Sequence, residues 1–600
     1  MIVRNERGLR EAGSTDQRLP NSAMHAVGVE VPLLGLRAEV DAAYRDWCCA
    51  VDLLAANESS NSAKLAPNRS GPRFFLVIIT NGGDQAAVDE TIKSIASQSI
   101  WQVGWIQVDL HDQEGLTRVR GELARGTREW NKSHWVLFLN SGDRMTPSAF
   151  ASLRRKIDRH PEAVAVYFDD DSLDGEGLRS QPRFKPDWSL VHYHSLDFVG
   201  QSVVLRADAL IDAAEVFFPL RRGVLFDLML RIAEKSEHDR RLIQHLPRVL
   251  RNRRGQEVLT SPLPEQRELS LAEHFQRMGR RATFSFPGSE VCRVHYEVPP
   301  TVPLVSIIIP TRDASTLIRK CVDSLLTRTL YPRIELLIVD NRSSEREAVN
   351  YLESLPARST DRISIRVLHY DRDFNYSDLN NRAVEIARGE LICLLNNDTE
   401  VISPDWLHEM VGHVIQPGVG AVGAKLLYGN GRVQHAGDVV GYGGCANHLH
   451  AGIEGTDPGY CLRAAVAQEL SAVTGACLLT PRSIYTQIGG LDATFLRVTF
   501  NDVDFCLRLR KNGYKVIWTP YALLYHHESA TRGRPKGLLA RLRAKLEARV
   551  MRLRWAGTLR QDPFYNPNMA RRRSDFTLAA PAAILRVASD AAGRRVAAST

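Results

Sequence analysis

At 600 residues, 44% hydrophobic and 24% charged, the chain is too long for one ordinary core, and two or three globular domains are expected. Gly (41) and Pro (28) are near average use, which excludes a collagen-like, low-complexity or wholly disordered chain. The formal charge of +8 points to nucleic acid or an anionic membrane as partner, depending on where the charge sits.

The chain begins Met1-Ile2-Val3-Arg4-Asn5-Glu6, a polar start without the apolar core of a secretory signal. No apolar run approaches the ~18 residues of a spanning helix. Nine cysteines, none in a C-x-x-C pair, predict a reduced, cytoplasmic protein without structural zinc. Residues 1–71 read as an N-terminal extension closed by a linker, Asn57 to Ser62 and Pro67 to Pro72. A buried strand, Phe74 to Thr80, follows at once, and strand and helix patterns alternate to about Leu250. The charged stretch Arg251 to Gln256 reads as a boundary, so a first unit spans 72–254. A connector, 255–302, ends in the stiff Pro299-Pro300-Thr301-Val302-Pro303.

The second unit, 303–531, is the most legible. Val305 to Ile309, Ile334 to Asp340, Ile363 to His369 and Leu391 to Leu395 read as buried strands, and Asp378 to Arg388 as a helix stopped by Gly389. Such alternation predicts an α/β unit, a parallel sheet with helices on both faces. Ligands then bind beyond the carboxyl ends of the strands, where Thr311, Asp340 and Asp398 fall. Residues 532–600 form a basic helical tail.

The pattern occurs twice. Leu137-Phe138-Leu139-Asn140-Ser141-Gly142-Asp143 echoes Cys393-Leu394-Leu395-Asn396-Asn397-Asp398, and Asp227 to Ile232 echoes Asp504 to Leu509, in the same order. The chain reads as an internal duplication of one α/β domain.

Asp398, after a strand, can hold Mg²⁺ or Mn²⁺ against a diphosphate, because hard cations take oxygen ligands; taken alone, a turn or N-cap aspartate is the more common reading of such a residue. Phe500 to Gly513 predicts a short helix capped by Asn501 or Asp502, with Asp504 and Arg508 paired four apart. The helix dipole would keep Asp502 ionised, an available but weak general base; the plain alternative is a cap. Of His526 and His527, at most one faces a site on an extended chain, where an imidazole could complete a metal shell with Asp398. His435-Ala436-Gly437 and Gly441 to Gly444 stay ambiguous between a ligand loop and ordinary turns.

Taken together the motifs resemble bacterial family 2 glycosyltransferases of the GT-A fold, nearest the tandem-domain, rhamnosyltransferase-like proteins of O-antigen and other surface polysaccharides. The resemblance rests on Val305 to Asp313, Ile338-Val339-Asp340-Asn341, Phe374-Asn375-Tyr376-Ser377 with Asn380-Asn381, and Leu395 to Thr399. It continues through Gln434 to Gly437, Ser471 to Cys477, Phe500 to Arg508, Tyr525 to Ala530 and the closing Asp562-Pro563-Phe564-Tyr565-Asn566-Pro567-Asn568. It implies two tandem Rossmann-like GT-A domains with a basic C-terminal tail, and inverting transfer from a nucleotide-diphosphate sugar to a glycan or lipid-linked glycan. It further implies Asp502 as general base and a Mg²⁺ or Mn²⁺ held by Asp398 and His526. Thr311, Arg312, Asp340, Asn375, Asn380 and Asn397 would line the donor, and Thr474, Gly475, Ala476 and Asp504 the acceptor side. The metal motif reads Asn396-Asn397-Asp398, with its first acidic ligand absent.

The first half resembles the family's first domain through Phe168 to Asp171, Phe184 to Trp188 and His245 to Leu250. It departs at Ile79-Thr80-Asn81-Gly82, which lacks the usual proline, and at Arg251-Asn252, where a histidine is usual. A degenerate first domain is expected; a second site there would use Asp143 and Asp227. The alternative function is a non-catalytic scaffold binding glycan or nucleotide-sugar. Nucleic acid is excluded, because no aromatic-basic interleaving or known motif accompanies the charge. From Arg532 to Arg573 there are 13 Lys or Arg against 2 acidic residues, leaving 64 basic and 67 acidic elsewhere. Leu542, Leu546, Val550 and Leu553 recur there at helical spacing. The tail is thus either an amphipathic helix on an anionic membrane's inner face or a helix packed on the body with a solvated basic face.

Overall fold

In a computed structural model, residues 31–571 and 575–581 are described, apart from 33–36, 63–70, 81–83, 99–102, 110–111, 113, 115–120, 122–131, 213–222, 237–238, 256–262, 443 and 528–536. Most of the linker before Pro72, Asn81-Gly82, Glu528 to Ala530 and the ends of the basic tail lie outside these residues.

Among the described residues the chain builds two large sheets, with three two-stranded ones beside them. The first contains β1 (Arg73–Thr80), β2 (Val103–Asp109), β3 (His134–Asn140), β4 (Arg144–Met145), β5 (Ala165–Leu173), β6 (Arg179–Arg183), β7 (Val203–Arg206) and β8 (Ile243–Arg253). Its order is β2-β1-β3-β7-β5-β8-β4, with β6 on β5. The second contains β9 (Val305–Thr311), β10 (Ile334–Asp340), β11 (Ile363–His369), β12 (Leu391–Leu395), β13 (Thr399–Val401), β14 (Val419–Leu427), β15 (Cys477–Pro481) and β16 (Lys515–His526). Its order is β11-β10-β9-β12-β15-β14-β16-β13.

Strand by strand, β10-β9-β12-β15-β14-β16-β13 repeats β2-β1-β3-β7-β5-β8-β4, and each matching pair keeps its parallel or antiparallel sense. The duplication read from two short echoes therefore extends to the whole topology. β9, β10 and β12 are buried along their entire length, which is why they read as continuous apolar runs.

Two expectations need correction. The sheets are mixed: β15 runs antiparallel to β12 and β14, as β7 does to β3 and β5. Hydrophobic periodicity reports burial and carries no strand direction. Arg251 to Gln256 does not begin as a boundary either, because Arg251, Asn252 and Arg253 lie inside β8 and Arg251 is fully buried. Charge marked it as a surface stretch; a buried carboxylate partner makes it interior.

The terminal segments join the halves. Asn566 Nδ2 donates to Asp169 Oδ2 at 2.9 Å and to the Lys185 carbonyl at 2.9 Å. Asp562 Oδ2 accepts from Val440 N at 2.7 Å, and Asp187 N donates to the Pro563 carbonyl at 2.8 Å. The closing motif thus grips first-sheet residues at one end and second-sheet residues at the other. Helix α1 (Arg37–Ser62) adds Tyr44 Oη to Asp171 Oδ2 at 2.8 Å and Trp47 Nε1 to the Ala579 carbonyl at 2.8 Å. All nine cysteines are free thiols, and no described helix is long and apolar enough to cross a membrane.

Candidate functional site

The carboxyl ends of β9, β10 and β12 meet at one edge of the second sheet. Thr311 closes β9, and its Oγ1 accepts from Asn397 Nδ2 at 3.1 Å. Asp340 closes β10; its Oδ1 accepts from Ser343 N at 3.0 Å, and Oδ2 lies 3.5 Å from His369 Nδ1. Arg312 is exposed beside them, and Asp313, in the left-handed region at φ 51°, accepts from Ser344 N and Glu345 N at 2.7 and 2.9 Å.

Asp398 follows β12. The ladder of β13 with β16 sets Thr399 opposite His526, which brings His526 Nε2 to 3.1 Å from Asp398 Oδ1. His526 Nδ1 lies 2.6 Å from Gln434 Oε1, which orients the ring with Nε2 towards the Asp398 carboxylate. Asn396 Nδ2 donates to the same Nε2 at 3.2 Å. A carboxylate and an imidazole held together in this way could supply two ligands to a divalent cation. His527 turns away to Glu400 Oε2 at 3.2 Å.

Asp502 lies on α4, counted here after α1, α2 (Val224–Ser236) and α3 (Tyr376–Ile386), and spanning Asn501–Lys511. The cap is neither Asn501 nor Asp502: Phe500 precedes the helix with φ 60°. A left-handed non-glycine residue costs about 1–2 kcal/mol and is found where surrounding structure imposes it. Asp502 is half-buried. Its Oδ2 accepts from Gly475 N at 2.8 Å and lies 3.4 Å from Thr474 Oγ1, and its Oδ1 accepts from Val503 N at 2.8 Å. Burial pushes its pKa up, with Asp438 adding to the rise against the opposing amides. The direction expected from the helix dipole is therefore corrected: desolvation outweighs the helix end and raises this carboxyl's pKa.

Tyr376, the first residue of α3, bridges the two parts of the site. Its hydroxyl donates to the Gly475 carbonyl at 3.1 Å and lies 3.5 Å from Asn396 Oδ1. Ala476 completes the link, its carbonyl accepting from Asn396 N at 3.0 Å. Beyond Asp502, His435 Nδ1, Asp438 Oδ1 and His448 Nδ1 form, among the described residues, the one His/Cys/Asp/Glu group spaced for a metal ion. His448 Nδ1 lies 2.6 Å from Asp438 Oδ1 and 3.0 Å from His435 Nδ1. Burial lowers the His435 pKa to about 3, so this ring is neutral. Thr474 N approaches its Nε2 at 3.4 Å.

Three expected contact residues serve the fold instead. Asn375 caps α3 through Oδ1 to Asp378 N at 3.1 Å and ties Nδ2 to the Ala493 carbonyl at 2.9 Å. Asn380 is fully buried, its Nδ2 on the Tyr376 carbonyl at 2.7 Å. Asp504 is fully buried and holds Arg508 at 2.7 Å, Arg554 at 2.8 Å and Trp555 Nε1 at 2.9 Å. Motif membership does not distinguish a ligand contact from a buried cap or knot. Tyr376 and Gln434 were missed as site residues, although both stand inside blocks singled out in the sequence.

The first sheet presents the same positions emptied of chemistry. Asp143, the counterpart of Asp398, is fully buried. Its Oδ2 accepts from Arg251 Nε at 2.9 Å, Arg251 Nη2 at 2.6 Å and Asn140 N at 2.9 Å, and its Oδ1 accepts from Arg254 N at 2.9 Å. The β4–β8 ladder sets Arg144 opposite Asn252, as Thr399 stands opposite His526, so asparagine takes the histidine's place and an arginine supplies the cation. Asp227 pairs with Arg231 at 3.0 Å on α2, the role Asp504 has on α4. Two residues before it, where α4 has Asp502, α2 has the buried Leu225. Gly223 takes the place of Phe500, with φ 79°. Asp143 and Asp227 are thus each committed to an arginine.

The second sheet thus gathers Thr311, Asp340, Asp398 and His526 at its strand ends, with the Asp502 carboxylate beyond them, linked through Gly475 and Tyr376. The family Glycosyl transferase family 2 matches residues 306–461, and Glycosyl transferase family group 2 matches 391–579. The chain is 33% identical over 570 residues to O-antigen biosynthesis protein RfbC of Myxococcus xanthus, covering 89% of this chain and 43% of that protein. It is 36% identical over 577 residues to uncharacterized protein y4gI of Sinorhizobium fredii, covering 90% of this chain and 62% of that one. The chain therefore spans about half the length of these curated relatives. Among solved structures, a mannosyltransferase from Pyrobaculum calidifontis in complex with GDP-Man and Mn²⁺ aligns at TM-score 0.32 and 18% identity, over 49% of this chain and 77% of that one. The two family models thus fall on the second half of the chain, residues 306–579, and the first half repeats the strand order of the second.

Helix α5 (Leu538–Arg554) supports the site from outside. Glu547, 1% exposed, accepts from Arg497 N, Val498 N and Thr499 N at 3.1, 3.2 and 2.8 Å, and from the Thr499 hydroxyl. It thereby fixes the turn that enters α4. Glu547→Ala leaves these donors without their acceptor and is expected to lower stability by about 2–4 kcal/mol, read as a fall in Tm together with slower transfer.

Proposed function

We propose that the second domain is an inverting, divalent-cation-dependent glycosyltransferase, moving a sugar from a nucleotide-diphosphate donor to a glycan acceptor in O-antigen-like surface polysaccharide assembly. The observation that carries this reading is the convergence of Asp398 and His526 on the side of Tyr376 opposite the amide-held Asp502. Thr311 and Asp340, with exposed Arg312 and the loop amide of Asn397, border the nucleoside side. Asp398 and His526 would hold Mg²⁺ or Mn²⁺, which when bound supplies positive charge against the departing diphosphate.

Asp502 takes the proton of the acceptor hydroxyl as that oxygen attacks the anomeric carbon. The carbon–oxygen bond to the diphosphate breaks in the same displacement, so the configuration inverts. The amides of Gly475 and Val503 fix the carboxylate's direction, and Thr474 to Ala476 border the acceptor side. A base with a raised pKa transfers protons better near neutrality. The acid limb of kcat/KM is therefore expected at higher pH than an exposed aspartate would give, and an initial-rate pH profile measures it. RfbC is named for O-antigen biosynthesis, which supports the acceptor class, a free or lipid-linked glycan met at the cytoplasmic side of the membrane.

Mass-spectrometric turnover with UDP-, dTDP- and GDP-sugars, with Mn²⁺ or Mg²⁺ and with chelator, tests the reading. Donor binding without turnover would instead support a glycan or nucleotide-sugar scaffold; absence of both sinks the proposal.

A further inference from the structure

Helix α5 does not lay its leucines on the protein. Its buried residues are Glu547 and Met551, while Leu538, Leu539, Leu542, Leu546 and Leu553 are exposed, from 46% for Leu542 to 82% for Leu539. Single exposed leucines are ordinary, but a contiguous apolar patch is not. At 100° per residue these five fall within an arc of about 100°, roughly opposite Glu547. Arg549 stands inside the arc, Arg541, Lys545 and Arg552 follow one edge and Arg543 the other. Across Leu538–Arg554 there are six Lys or Arg and a single acid, and that acid is the inward Glu547. Arg554 is committed to Asp492 and Asp504, each at 2.8 Å, whereas no ion pair is formed by Arg541, Lys545, Arg549 or Arg552 among the described residues.

We propose that this face of α5 is a membrane-docking surface for an anionic bilayer, the leucines entering the interface and the flanking Arg and Lys meeting acidic headgroups. The occupant follows from chemistry. An apolar stripe bordered by unpaired cations, on a chain whose remaining residues are near neutral, complements a surface that is apolar below and negative above. A second copy would bring a second row of the same cations against the first. The surface is also firmly coupled to the site. Glu547 clamps residues 497–499, Arg554 and Trp555 grip Asp504, and Asp502 is two residues away on the same helix. Docking therefore orients the acceptor side as well as tethering the protein. The inference deepens the proposed function by naming where a lipid-linked acceptor is presented; vesicle binding itself does not depend on that function.

The test is co-sedimentation of the full chain with phosphatidylcholine vesicles, alone or with about one third phosphatidylglycerol. Wild-type protein is expected to pellet with the anionic vesicles and to be released by salt. The variant Leu538→Gln/Leu542→Gln/Leu546→Gln/Leu553→Gln is expected to lose at least about tenfold in partitioning with unchanged Tm, because these side chains touch solvent. Arg541→Gln/Lys545→Gln/Arg549→Gln/Arg552→Gln is expected to reduce binding to the level seen on neutral vesicles. Wild-type binding by the leucine variant overturns the proposal, as does absence of vesicle binding by the wild type. So does a leucine variant that turns a dimer into a monomer with lipid binding intact, which makes the stripe a contact between copies. Donor turnover in solution is measured alongside: lost vesicle binding with retained turnover sinks the docking surface alone, and the converse sinks the activity alone.

Discussion

Replacing Asp502 by asparagine is expected to lower kcat by about 10²–10⁴-fold, the range contributed by a positioned general base, while leaving the fold at least as stable. The two halves of this result have one cause. The carboxylate is held by Gly475 N and Val503 N in surroundings that push its pKa up through burial, so its ionised form is disfavoured in the folded protein. For a carboxyl with a raised folded pKa, the contribution to stability is fully present below the unfolded pKa and is lost as pH rises through the folded pKa. Asparagine keeps an acceptor for the Gly475 amide and removes the charge. Steady-state kinetics with thermal unfolding at neutral pH measures both; a fall in Tm accompanied by a trivial rate change would make Asp502 a structural cap.

The second large effect is a crossed pattern between the domains. Asp398→Asn or His526→Ala is expected to reduce transfer by about 10²-fold or more, since removing a group that offsets charge in the transition state costs several kcal/mol, with little change in Tm. Asp143→Ala is expected to do the reverse. It strands the fully buried Arg251 guanidinium without its carboxylate, and breaking one side of such a pair costs about 3–5 kcal/mol. The protein should unfold earlier, while the fraction that remains folded transfers sugar at the wild-type rate. Active-site titration, or rates normalised to folded protein, separates the two. Loss of all transfer in folded Asp143→Ala would defeat the view that the first domain is a scaffold.

Much of this architecture was legible because buried strands advertise themselves. Val305 to Ile309, Ile334 to Asp340 and Leu391 to Leu395 are apolar on both faces, so composition alone located them, and the carboxylates and amides that end them marked the edge where a ligand sits. The paired echoes of Asn140 to Asp143 and Asp227 to Arg231 disclosed the repeat. The antiparallel insertion of β15 and β7 was not legible, nor was the fate of Asn375, Asn380 and Asp504. Their residue types suit a polar ligand and a buried hydrogen-bonded knot equally well, and only their neighbours decide between them. The amphipathic tail shows the same limit. The sequence located a leucine repeat among arginines, but left open which side faced the protein; in the structure the buried Glu547 faces inward and the leucines face outward.

By itself the sequence determined the family-like motif set, the twofold repeat, the candidate cation pair Asp398 and His526, and the localisation of the +8 charge in the C-terminal segment. Tertiary structure alone decided what each copy's carboxylate meets. Asp143 and Asp398 look alike along the chain, each an acid after an apolar strand and an asparagine. Register on the neighbouring strand sets Arg251 and Asn252 against the first and His526 against the second. A carboxylate paired with a buried guanidinium and one beside an imidazole differ through residues more than a hundred positions away, a distance over which local pattern carries no information and strand pairing carries all of it.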